Sequence, residues 1–83
     1  MWILYIIQCN DNSLYIGITN NLKNRIEAHS NGKGAKYTRG KGPFQILYTE
    51  SYMSRSSASK REYVLKQLTL NEKLSLIKND SYK

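Results

Sequence analysis

An 83-residue chain that is 40% apolar and 23% charged has the composition of one folded domain, with room for a single thin core. Its net charge of +7 argues against a partner that is itself basic and points to a polyanion, although an excess of this size also serves solubility alone. One cysteine, Cys9, excludes an internal disulfide and a thiolate metal cluster, suits a reducing cytoplasm, and reads as a core residue at a strand end.

The chain opens on MWILYIIQC, an apolar run with no basic start that stops at Asn10-Asp11-Asn12. It is too short to span a bilayer and wrongly flanked for a signal peptide, so no membrane association is expected. Trp2 to Cys9 reads instead as a strand covered on both faces. Residues Asn10 to Ser13 are turn formers, and Leu14 to Ile18 follow as the second strand of a hairpin. A three-residue turn at 11–13 would set Ile7 opposite Gly17 and Tyr5 opposite Thr19. An odd turn or a bulge puts Tyr5 and Tyr15 on one face, where either both are core tyrosines with bonded hydroxyls or the absent side chain of Gly17 leaves a gap between the phenols for a phosphate.

Thr19 or Asn20 is placed to cap a helix that ends near Asn31-Gly32, where glycine takes the left-handed position. On it Leu22, Ile26 and His29 share the packed face, with Arg25 at its border by the ~100° advance per residue. Arg25 and His29 lie one turn apart and can address a common point. Two readings are open: a solvated arginine beside a satisfied interfacial imidazole, or a guanidinium fork for phosphate beside a proton relay.

Residues 32–43, GKGAKYTRGKGP, form a basic glycine-rich loop within a middle segment, 22–41, that carries six basic side chains against Glu27. The loop lacks both the phosphate-loop and the dinucleotide glycine patterns, so Lys33, Lys36, Arg39 and Lys41 are candidates for contact with a nucleic-acid backbone and nothing more specific. Phe44 to Tyr52 reads as a third strand, in which Tyr48 and Tyr52 pack. Ser54 or Ser56 starts a helix running to about Leu68. Its inward stripe is Ala58, Arg61, Val64, Leu65 and Leu68; the Arg61 head should reach a carbonyl or an acid, and Tyr63 should be exposed. Glu62 flanks this stripe. It either pairs with Lys66 one turn on or serves as the single protein ligand of one Mg²⁺ or Mn²⁺, since the six acids form no two-metal cluster. Thr69-Leu70-Asn71-Glu72 has capping-box spacing and opens a last helix. The order implies an α+β fold over residues 1–83: a small three-stranded sheet, at least partly antiparallel, flanked by helices.

The ordered set resembles the GIY-YIG nuclease superfamily, in its small bacterial single-domain branch. The first motif is carried by Leu4-Tyr5-Ile6, a departure from Gly-Ile-Tyr that keeps an aromatic on the first strand; the second, Tyr15-Ile16-Gly17, is intact. The Arg25 and His29 helix, Glu62 on a later helix and Gly32 to Gly40 complete the likeness. The resemblance implies a phosphodiesterase that cuts nucleic acid, most naturally DNA, with one divalent metal. Glu62 would bind the metal, Arg25 would hold the scissile phosphate, Tyr5 or Tyr15 would activate the attacking water, and His29 would take or position a phenol proton. A free phenol titrates near 10, so that base needs neighbouring cations. The resemblance also implies an asparagine beyond the acid, for which Asn71 and Asn79 are available. A monomer or weak dimer is expected. No targeting domain accompanies these motifs, which leaves a non-catalytic or partner-dependent nucleic-acid-binding module as the alternative.

Overall fold

The computed structural model describes residues 1–33 and 38–80. In chain order the elements are β1 (Trp2–Gln8), β2 (Leu14–Thr19), α1 (Leu22–Ser30), β3 (Gln45–Tyr52), α2 (Arg55–Lys66) and α3 (Leu70–Asp80). The three strands form a wholly antiparallel sheet in the order β2-β1-β3. The central strand is the most apolar one, as a strand covered on both faces must be: Leu4, Tyr5, Ile6 and Ile7 are all buried.

Alternation along β1 gives the sheet two different faces. Leu4 and Ile6 point to one face and join Ile16, Tyr48 and Leu65 in the core, with Leu68 of the helical C-terminal half and Leu76 and Ile77 of α3 packed against it. Tyr5 points to the other face, where α1 lies and its His29 is buried. On the core face Glu50 gathers the polar groups that the strand and α2 bring inward. It accepts hydrogen bonds from the hydroxyls of Tyr48 and Tyr52 and from Arg61 Nε at 3.1 Å. Burial opposes the Glu50 charge, but Arg61 and then the two phenols prevail and hold its carboxyl below the ordinary range. The Arg61 head thus finds an acid, as its place in an apolar stripe requires.

The hairpin register differs from the expected one. Tyr5 stands opposite Gly17, Ile7 opposite Tyr15 and Ile3 opposite Thr19. The ladder closes at Gln8 and Leu14, so residues 9–13 form the connection. The physical reason is Asn10. Its peptide N–H donates to Lys41 O and its side chain to Gly42 O, both at 2.8 Å, and this ties it to the loop before β3 instead of to the hairpin. Asn12 then turns the chain in the left-handed region, φ 68°, which asparagine tolerates. The register shift is two residues, so Tyr5 and Tyr15 still share a face.

Helix termini follow local chemistry. Asn21, not Thr19 or Asn20, caps α1 by accepting from Asn24 N, while the Thr19 hydroxyl accepts from Asn21 N and braces the entry. Gly32 follows α1 with φ 74°. Ser54 caps α2. At α3, Thr69 N donates to Glu72 and Glu72 N donates to the Thr69 hydroxyl, completing the capping box. Among the described residues no helix is long and apolar enough to cross a membrane.

Candidate active site

The face of the sheet under α1 holds both phenols, the imidazole and the guanidinium. Tyr5 is fully buried and its hydroxyl lies 2.9 Å from His29 Nε2. The other ring nitrogen, Nδ1, lies 2.7 Å from the Thr38 hydroxyl. The Tyr15 ring packs edge-on to His29 with centroids 5.3 Å apart and sits 6.4 Å from the Tyr5 ring. Phe44 closes the other side of the imidazole at 5.8 Å.

Gly17 has a different part from the one its motif suggested. A β-carbon there would stand 2.5 Å from the Tyr5 hydroxyl oxygen and 2.7 Å from Cζ. The space left by glycine is filled by the Tyr5 phenol itself, so no gap for a phosphate lies between the two tyrosines. The register is the cause, since Gly17 is the direct cross-strand partner of Tyr5.

Arg25, at the border of the packed face of α1, stands beside both phenols, and its interaction with Tyr5 outweighs its partial burial and makes it still more firmly cationic. A phenol proton directed at His29 Nε2 leaves the Tyr5 oxygen able to face the Arg25 guanidinium, which only donates. The neutral imidazole then carries its hydrogen on Nδ1 and donates to Thr38. Burial raises the Tyr5 pKa, with the hydrogen bond from Arg25 opposing and the Tyr15 and Glu62 charges adding to the rise. Burial, then the Arg25 charge, lowers that of His29. The group is therefore a chain of hydrogen bonds from Tyr5 through His29 to Thr38, uncharged, with the Arg25 cation at its border.

That arrangement has a signed pH dependence. The unfolded chain takes up a proton at His29 as pH falls through about 6.5, whereas the native imidazole resists it, so stability is full above that pH and declines below it until the buried ring is also protonated. Denaturant unfolding between about pH 7.5 and 5.5 should show this loss. Arg25→Ala should shrink it by returning the native His29 pKa toward its ordinary value. An NMR titration placing native His29 at or above that ordinary value would contradict the arrangement. Glu50 adds a second loss in a separate window, below the ordinary glutamate pKa of 4.5.

Glu62 approaches from α2. Its side chain is 21% exposed, its Oε2 lies 3.3 Å from Lys66 Nζ, and its charge is felt at Tyr5. The pairing with Lys66 is therefore present as one of the two roles open to this acid, and its charge acts weakly on Tyr5. Among the described residues no three histidine, cysteine or acidic side chains gather to hold a metal. A lone, partly buried carboxylate suits a hard cation that keeps most of its waters, so Glu62 fits the single-ion donor set and excludes a protein cage.

The basic loop is less unified than expected. Lys33 and Arg39 are exposed beyond the end of α1. Lys41 pairs with Asp11 at 3.3 Å, next to the hairpin connection. Lys36 lies outside the described residues. Asn71 and Asn79 are both exposed on α3. Thr38, which no motif singles out, is fully buried. A signal for it exists in the sequence: an imidazole in a core needs a partner for each ring nitrogen, and the loop after α1 offers a hydroxyl-bearing residue.

Comparison with known proteins places these features. Residues 1–75 match the model of the GIY-YIG catalytic domain. A UPF0213 protein of Clostridium perfringens is 54% identical over 80 residues, covering 96% of this chain and 86% of that protein. Another, from Oceanobacillus iheyensis, is 54% identical over 74 residues, with 89% and 86% covered. The solution NMR structure of a UPF0213 protein from Bacillus halodurans superposes with a TM-score of 0.61 at 42% identity, covering 94% of this chain and 84% of that one. A second NMR structure, of a protein from E. faecalis, gives 0.64 at 34% identity, with 98% and 86% covered. With the family match running over nearly the whole length and relatives above half identity, the chain belongs to the GIY-YIG catalytic domain family, among its small bacterial UPF0213 members.

Proposed function

We propose that this protein is a divalent-metal-dependent endonuclease that hydrolyses phosphodiester bonds of DNA. The observation that carries the reading is the grouping under α1: two phenols packed about a buried imidazole that bonds one of them, with the Arg25 cation beside both rings. A guanidinium so held can donate two parallel hydrogen bonds to a phosphate and meet the charge that grows on it during attack. The two tyrosines divide the remaining work by exposure. Tyr5 is sealed in and bonded to His29, so it fixes Arg25 and receives no solvent. Tyr15 is half-buried and is the phenol that meets the attacking water. His29, with Thr38 behind it, holds the Tyr5 hydroxyl in place. Glu62 would hold a Mg²⁺ or Mn²⁺ ion, which supplies Lewis acidity at a phosphate oxygen when bound.

The net positive charge and the exposed Lys33 and Arg39 favour a nucleic-acid substrate, held weakly and with strong salt dependence. One observation favours a second reading, a binder without turnover: the Glu62 carboxylate is occupied by Lys66. The two part cleanly in one experiment. Purified protein at low salt is expected to nick supercoiled plasmid in Mg²⁺ or Mn²⁺ and to stop when the ion is chelated. Plasmid retained on the protein but intact with every divalent ion would overturn the nuclease and leave the binder.

A further inference from the structure

β2 is an outer strand, and along its free edge lies an open cleft of about 340 Å³ lined by Leu14, Tyr15, Ile16, Lys66 and Lys73. Small-molecule sites span roughly 300–1,000 Å³, so the cleft can seat one nucleotide-sized group. Its two sides differ in chemistry. Leu14, partly buried on the core face of β2, offers apolar surface, with the buried Ile16 beneath it. Lys66 at the end of α2 and Lys73 in α3 offer two ammonium groups. Lys66 is paired with Glu62, while Lys73 has no acidic partner among the described residues. Tyr15 belongs to both places: its ring packs on His29 in the site under α1, and it lines the cleft. Tyr15 therefore joins the cleft to the site around His29.

From this juxtaposition we infer that the cleft seats the nucleoside unit next to the phosphate held at Arg25, its base or sugar over Leu14 and Ile16 and its far phosphate on Lys73. The inference rests on the nucleic-acid reading of the Arg25 site, and it deepens that reading by giving the strand a direction, from α1 across Tyr15 toward α3. An apolar floor facing a lysine wall matches the alternation of base and phosphate in such a chain better than it matches a bare anion.

The test uses the intact protein without metal and a thymidine bisphosphate phosphorylated on both sugar hydroxyls, followed by amide-detected NMR. Shifts are expected at Leu14, Tyr15, Ile16 and Lys73, and Lys73→Gln should weaken binding about fivefold, the scale of removing one charge-assisted hydrogen bond at a partly exposed site, with its melting temperature unchanged. Inorganic phosphate alone should leave Leu14 and Ile16 unmoved. Shifts confined to Lys33 and Arg39, equal affinity in the variant, or the full pattern from inorganic phosphate would each overturn the cleft. These outcomes are separable from the nuclease reading. A protein that nicks plasmid with an inert cleft loses only this inference; a cleft that binds in a protein that never cuts keeps it and loses the nuclease.

Discussion

Glu62→Gln is expected to lower plasmid nicking by at least about a hundredfold, the scale of losing one preorganised charge-stabilising element, while the protein stays folded. The two halves of this result have separate causes. Glutamine keeps the volume and the helical position, so α2 is undisturbed. The Glu62–Lys66 pair that it removes is a partly exposed i,i+4 interaction, worth no more than a few tenths of a kcal/mol, about 0.3–0.5. What glutamine cannot do is present an anionic oxygen to a hard divalent ion. A second readout does not depend on turnover. Mn²⁺ should broaden the amide signals around residue 62 in the parent and leave them sharp in the variant. A variant that cuts like the parent, or broadening that persists without the carboxylate, would remove Glu62 from the site.

Gly17→Ala is expected to destabilise the protein by about 2 kcal/mol, the middle of the range for forcing a methyl into a packed interior. For a domain of this size that lowers the melting temperature by roughly 8–16 °C. The added carbon would meet the Tyr5 oxygen and Cζ well inside contact distance. Tyr5 cannot swing away freely, because its ring is fully buried and its hydroxyl is bonded to His29 beside Arg25. Relief of the clash therefore breaks the Tyr5–His29 bond and displaces Arg25, so nicking should fall with stability. The origin of the cost can be isolated. In a Tyr5→Leu background the alanine should cost much less, because the atoms it meets are gone. Fully additive losses would show that Gly17 matters for some reason other than the phenol.

These two residues also show what local pattern carries. The parity of Tyr5 and Tyr15, the strands, the Gly32 stop and the Thr69–Glu72 capping box follow from alternation, turn chemistry and short-range hydrogen bonding, and each is present. The hairpin register depends on Asn10 being drawn to Lys41 and Gly42, thirty-odd residues away, which no local pattern encodes. Gly17 is for that reason legible as a motif glycine but not as the residue that makes room for Tyr5. Thr38 is legible only as a hydroxyl that a buried imidazole could use, since its pairing with His29 is fixed by tertiary packing. Arg61 is half legible: its position in an apolar stripe demands an acid, while the identity of Glu50 requires the packing of α2 on β3.

The sealing of His29 reaches beyond proton transfer. The chain has one imidazole and one thiol, and the fold encloses both, His29 at 1% and Cys9 at 3% exposure. Reagents that acylate histidine or alkylate cysteine consequently find no reactive handle on the native surface. Modification at either residue would register the opening of the whole molecule, which turns two silent side chains into built-in clocks for its breathing.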